Sequence, residues 1–307
     1  MKDSCDLILA LGGGGARGLA HLGALEVIQD ADLPIKRIVG VSIGSLLGAL
    51  YALEGDIRPV QRTVMEYVGS AVFQAHQEAL YGARSAPDER TLPGFSWFGR
   101  VMDYLRANRA FHRAILRKSL LPGRVLEDVV THLLPDADIA DTRIPLTIVT
   151  ADLVKGRRVV LEHGPMREAV RGSSSLPGIF PPVDLDGKLL CDIGVFYAVP
   201  AKVARYYDPG TVVAIDVTAD LGEYRGGTAL ETMMRMQDIG GSLLREETIT
   251  SADIIIRPEV GAMEWMDFSN AEACIEIGRE AARASLPEIL ARVGRCLAED
   301  TSQPSTP

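Results

Sequence analysis

The pentapeptide GVSIG, residues 40–44, sets Ser42 between Gly40 and Gly44 at the end of an apolar run. A serine so placed is a candidate nucleophile, because small neighbours permit a sharp strand-to-helix turn that lifts the hydroxyl clear of the main chain. The same residues could equally make an N-cap for the next helix. Upstream, LALGGGGARGLAHLG (9–23) carries four consecutive glycines, Gly12 to Gly15. Gly13, Gly15 and Gly18 satisfy the GxGxxG pattern, but the second strand ends at Ser42 and not at the acidic residue a dinucleotide ribose requires. Leu19, not lysine, follows Gly18, which excludes a phosphate-binding P-loop. What remains is a set of main-chain N–H groups at a helix N-terminus, suited to developing negative charge.

A serine that attacks an ester needs a base and oxyanion donors. The histidines are His21, His76, His112, His132 and His163, and none follows Asp192 in the order expected of an α/β-hydrolase triad. Each reads as structural or exposed. Asp152, Asp192 and Asp216 stand at or near the ends of apolar runs, and the pattern alone leaves the three equal as partners for Ser42.

The elements that must position these groups alternate between strands and helices. DLILAL (6–11) and RIVGV (37–41) read as buried strands, each followed by a helix. IPLTIVTAD (144–152), RRVVLE (157–162), VDLDGKLLCD (183–192), TVVAIDV (211–217) and ADIIIRP (252–258) supply further strands, with Asp186-Gly187 as a hairpin turn. A long helix closes the chain, with Pro287 expected to kink or break it. This rhythm predicts an α/β fold with a mainly parallel sheet covered on both faces. RGSSSLPGIFPPV (171–183) is expected to be a rigid loop beside the site.

Composition bounds the function. The 307 residues carry a formal net charge of −9, which argues against nucleic acid as a partner. Cys5, Cys191, Cys274 and Cys296 form no CxxC pair, and MKDSCDLILALG lacks the apolar run of a signal peptide, so a reducing, cytoplasmic setting is expected. No cofactor or metal is expected. Residues 70–125 interrupt the rhythm as a helical cap. Phe95, Trp97, Phe98, Tyr104 and Phe111 stand there beside Arg100, Arg106, Arg109, Arg113, Arg117 and Lys118. It reads as an inserted cap with a solvated basic face, or as a lid offering peripheral membrane contact. TSQPSTP (301–307) reads as a disordered tail.

Together, GGGGARG, GVSIG and CDIGV resemble the bacterial branch of the patatin-like phospholipase family, and the resemblance covers most of residues 5–285. It implies one three-layer α/β/α domain over residues 1–300. It makes Ser42 the nucleophile and Asp192 its base in a dyad without histidine. The amides of Gly13, Gly14, Gly15 and Ile43 become the oxyanion hole, supported by Arg17, Gly18, Gly40, Gly44 and Gly194. The implied activity is hydrolysis of fatty acyl esters, as by a phospholipase A or lysophospholipase. The same dyad would serve a soluble carboxylesterase, thioesterase or acyltransferase, and a compromised site would leave an acyl-binding protein. The family has glycine after the aspartate where this chain has Ile193, a side chain expected to narrow the site or shift the carboxylate.

Overall fold

The computed structural model describes residues 6–81, 119, 121–207, 210–224, 229–261 and 263–301. Most of the expected cap, with His112, lies outside the described residues, as do 302–307 of the expected tail.

One eight-stranded sheet organises the chain, in the order β5-β6-β3-β2-β1-β7-β8, with β4 paired to β3. Its centre is parallel: β1 (Leu7–Leu11) lies between β2 (Ile35–Val41) and β7 (Thr211–Ile215), β2 pairs with β3 (Leu146–Asp152), and β7 with β8 (Ile254–Ile256). One side is antiparallel, where β4 (Arg157–Leu161) and β6 (Lys188–Cys191) both meet β3. β5 (Val183–Leu185) joins β6 through Asp186 and Gly187, both at positive φ, as a two-residue hairpin requires.

Every residue of β1 is buried, as befits a strand covered on both faces. Leu7, Leu9 and Leu11 enter the larger core with Ile38, Ile148 and Ile215, while Ile8 and Ala10 face the smaller one with Val39, Val41 and Val149. This period of two is the strand's own geometry. The larger core is roofed by α1 (Ala20–Asp30), α2 (Ile43–Glu54), α3 (Ile57–Val68) and α9 (Ala271–Thr301). α1 and α9 approach closely: a Cβ on Gly23 would stand 1.9 Å from the Ile275 carbonyl oxygen, and one on Gly278 1.9 Å from that of Ala20. α9 runs through Pro287 without ending, so the expected break does not occur.

α4 (Ala71–Tyr81) and α5 (Arg124–Leu133) flank the undescribed stretch, and α6 (Met166–Ser174) packs near β3 and α2. On the smaller-core face, α7 (Ala201–Ala204) contacts the sheet, and α8 (Ala229–Ile249) lies against α7.

Candidate active site

Ser42 occupies the turn between β2 and α2 with φ 55 and ψ −127, a conformation an L-residue adopts only under constraint. The constraint is close packing at the carboxyl ends of β1 and β2. A Cβ on Gly44 would come within 2.3 Å of the Leu11 carbonyl oxygen, and one on Gly40 within 2.5 Å of that of Gly44. Both flanking glycines of GVSIG are therefore needed for the bend. Ser42 makes no side-chain capping bond to α2, so the simple N-cap reading does not hold. Its hydroxyl is left for other chemistry.

Asp192 reaches the same place from the opposite direction. β6 runs antiparallel to β3, so Cys191 pairs with Ala151 and the chain leaves β6 heading back along β3. The Thr150 hydroxyl fixes that exit by donating to the Cys191 carbonyl at 2.7 Å. The carboxylate is 2% exposed. Its Oδ1 accepts the Gly194 N–H at 2.6 Å, while the buried Oδ2 has no hydrogen-bond partner. Burial pushes this carboxyl up to about 6, against the opposing influence of the Ser42 hydroxyl and the Gly194 N–H. Ser42 is thus close enough to stabilise the carboxylate. Ile193, the departure from the family pattern, is half-buried against the smaller core, and Oδ1 reaches past it to Gly194.

The glycine loop runs beside Ser42: a Cβ on Gly13 would lie 3.2 Å from the Ser42 Cβ. Of the expected donors, the Gly13 N–H already donates to the Ala198 carbonyl at 2.9 Å. Gly14 and Gly15 precede the first bonded donor of the 3-10 turn Gly15–Leu19, and Ile43 opens α2, so these three amides are the ones helix geometry leaves available. Gly18 admits the Ile43 side chain, which stands 2.3 Å from where its Cβ would be. Arg17 Nε donates to the Met263 carbonyl at 2.8 Å, and the Ala16 N–H to that of Trp265 at 2.6 Å, which pins the turn from outside.

His21 is fully buried, its Nε2 bonded to the Gly12 carbonyl at 2.8 Å. Desolvation lowers its pKa to about 4, so it is a neutral brace for the loop. His76 lies 3.5 Å from Asp128, and His132 stacks on Tyr67. No histidine contributes to the Asp192 shift. Of the other two aspartates, Asp152 Oδ1 accepts the N–H groups of Val154 and Leu189. Asp216 Oδ1 accepts from Thr218, while Oδ2 faces Arg245 and Arg257 at 3.7 and 3.4 Å. Each of the two, like Asp192, also has a buried Oδ2 without a hydrogen-bond partner, so what distinguishes Asp192 is its place beside Ser42. Among the described residues, no group of three or more His, Cys, Asp or Glu is arranged to hold a metal, and no helix is long and apolar enough to cross a membrane.

The model of the patatin-like phospholipase family matches residues 9–205, a span that includes the glycine loop, Ser42 and Asp192. The chain belongs to the patatin-like phospholipase family. Patatin-like phospholipase domain-containing protein 6 of Mus musculus is 27% identical over 308 residues, covering 91% of this chain and 20% of the mouse protein. An NTE family protein of Mycobacterium tuberculosis is 27% identical over 304 residues, covering 91% of this chain and 46% of the relative. The chain therefore spans less than half the length of these curated relatives. The crystal structure of VipD from Legionella pneumophila aligns with a TM-score of 0.48 at 14% identity, covering 92% of this chain and 66% of that one. β7, β8 and α9 lie beyond the family match yet complete the sheet and its larger core.

Proposed function

We propose that this chain hydrolyses fatty acyl esters of lipids, of phospholipase A or lysophospholipase type, with Ser42 as nucleophile and Asp192 as its base. The observation that carries the reading is the closeness of the buried Asp192 carboxylate to the hydroxyl of the strained, uncapped Ser42. A carboxyl poised at about 6 is ionised at neutral pH and more basic than an ordinary aspartate.

In the first half-reaction the Ser42 oxygen attacks the acyl carbonyl while Oδ2 takes its proton. The oxyanion is held by the amides of Gly14, Gly15 and Ile43; one such donor is worth roughly 3–4 kcal/mol in a protease. Collapse breaks the ester bond, Asp192 returns the proton to the leaving alcohol or lysolipid, and Ser42 carries the acyl group. Water then gives a proton to Asp192 and attacks the acyl-enzyme. Fatty acid leaves and Ser42 regains its proton. The glycine loop is already shaped before substrate arrives, held by Ile215, Ala198, Trp265 and His21. That preorganisation supports the reading, because donors that need not reorient stabilise charge most effectively.

A fluorophosphonate probe tests the nucleophile, and a panel of phospholipid, lysophospholipid and short p-nitrophenyl esters tests the substrate class. Labelling of the wild type on Ser42, none of Ser42→Ala, and preference for long acyl chains are expected. Labelling that survives Ser42→Ala overturns the assignment. Preference for short water-soluble esters would move it to a carboxylesterase.

A further inference from the structure

We propose that the C-terminal end of α6 sets the spacing of the two reactive side chains, and that Ser173 is the positioning residue for Ser42; as a statement about catalysis this rests on the reading above. The Ser42 main-chain N–H lies 2.9 Å from Ser173 Oγ, and Ser173 Oγ lies 2.8 Å from the Val149 carbonyl oxygen. An N–H can only donate, so the Ser173 oxygen accepts there, and its single proton goes to Val149. Val149 is also the β3 residue in register with Val41. The hydroxyl thus ties the strained residue to the neighbouring strand at the point where β2 ends. Its proton being committed, Ser173 is no rival nucleophile.

Two residues later the same segment reaches the other half of the site. The Ser175 carbonyl accepts the Asp192 N–H at 2.9 Å and the Cys191 thiol at 3.0 Å, and the Ser175 hydroxyl is anchored to the Arg171 carbonyl at 2.8 Å. Ser42 and Asp192 are 150 residues apart in sequence, yet their main-chain amides are held by residues one apart from being adjacent. Ser173 and Ser175 are both buried, at 0% and 1% exposure, so neither bond is replaced by water when it is lost. Ser174, between them, is half-buried and serves as the control.

The test uses the full chain with Ser173→Ala, Ser173→Cys, Ser173→Thr and Ser174→Ala. Cysteine nearly preserves volume but accepts poorly, so it separates the hydrogen bond from packing, while threonine restores the hydroxyl. Residue-resolved amide exchange should show Ser42 N–H exchanging faster in the Ala and Cys variants, with β1 amides unchanged. For short p-nitrophenyl esters, kcat should fall roughly 10-fold to 100-fold with KM nearly constant, and fluorophosphonate labelling should slow in proportion. Threonine should recover most of the loss, and Ser174→Ala should match wild type. Unchanged Ser42 exchange in both Ala and Cys overturns the proposal, as does a loss in KM alone. If wild type takes no label, the nucleophile assignment fails separately, and amide exchange still decides the role of Ser173.

Discussion

The two halves of the site are built in contrasting ways. The Ser42 half comes from consecutive strand-turn-helix units whose strands, β1 and β2, lie side by side in a parallel register of five residue pairs. The Asp192 half arrives on a hairpin whose inner strand touches β3 through two pairs, Ala151 with Cys191 and Asp152 with Leu190. The first half is fixed by close main-chain packing, with the Gly13 N–H taken by Ala198 and the Gly14, Gly15 and Ile43 amides left available. The second carries the electrostatic load: a buried carboxylate with one oxygen unpartnered. Shape is secured where the chain is local, and reactivity is stored where it is not.

The largest expected effect breaks the packed half. In Gly44→Val the added Cβ would meet the main-chain oxygens of Leu11 and Gly12 at 2.3 and 2.7 Å, and neither can move without displacing β1. A loss of about 3 kcal/mol or more in urea unfolding is expected, at the upper end of overpacking costs, with activity lost alongside.

Asp192→Asn breaks the other half differently. Removing the base should lower kcat/KM by about 10²–10⁴-fold in an ester assay. Yet stability at pH 8 should rise. The folded pKa of Asp192 is raised from 3.8 to about 6, so the native state holds this proton more tightly than the unfolded chain does. That contribution is full below pH 3.8 and is lost as pH rises through 6. A displacement of about two units corresponds to about 3 kcal/mol as an upper bound, so the variant's advantage should grow over that window and vanish near pH 4. In the wild type, kcat/KM should fall below about pH 6 as one proton is taken up.

The same contrast explains what the sequence made legible. The glycine loop and elbow could be read because turn chemistry is local: glycines mark close approach, and apolar runs mark strands buried on both faces. Asp192 could not be separated from Asp152 and Asp216 by pattern, since what distinguishes it is an antiparallel return along β3 that no local spacing encodes. The family resemblance supplied that choice. α8 carries two adjacent glycines, Gly240 and Gly241, which local propensity disfavours inside a helix. In the structure Gly241 is buried in the helix, where a Cβ would stand 2.5 Å from the Val195 carbonyl oxygen, so tertiary packing overrides propensity. The segment 171–183 reads as a loop, whereas Ser173 lies in the last turn of α6 and its oxygen accepts the Ser42 N–H. The resemblance implies an oxyanion for the Gly13 amide, but a carbonyl from the distant Ala198 claims it.

His21 gives the packed half a pH response of opposite sign. Its folded pKa is lowered from 6.5 to about 4, so the unfolded chain binds this proton more readily. The stability it contributes is present above pH 6.5 and is lost as pH falls through 4, a change of about 3 kcal/mol at most. Between pH 6 and 4 the two groups oppose each other. His21→Gln, which keeps a donor for Gly12, should therefore remove an acid sensitivity, while Asp192→Asn should expose it. Urea midpoints for wild type and both variants across pH 4–8 measure the two slopes. Parallel curves would mean that neither group is buried as described.

The smallest effect is expected at Ile193, where the chain departs from the family pattern. Its side chain is half-buried against the smaller core, while Asp192 Oδ1 bonds past it to the N–H of Gly194. That bond uses only main chain at the receiving end, so the identity of residue 193 need not alter the carboxylate's aim. Ile193→Gly should accordingly leave kcat/KM on short esters nearly unchanged. It should lower stability by about 1–3 kcal/mol, through lost apolar burial and greater freedom of the unfolded chain. A large gain in activity would show instead that the isoleucine obstructs the site, and that the Asp192 half is limited by shape as well as by charge.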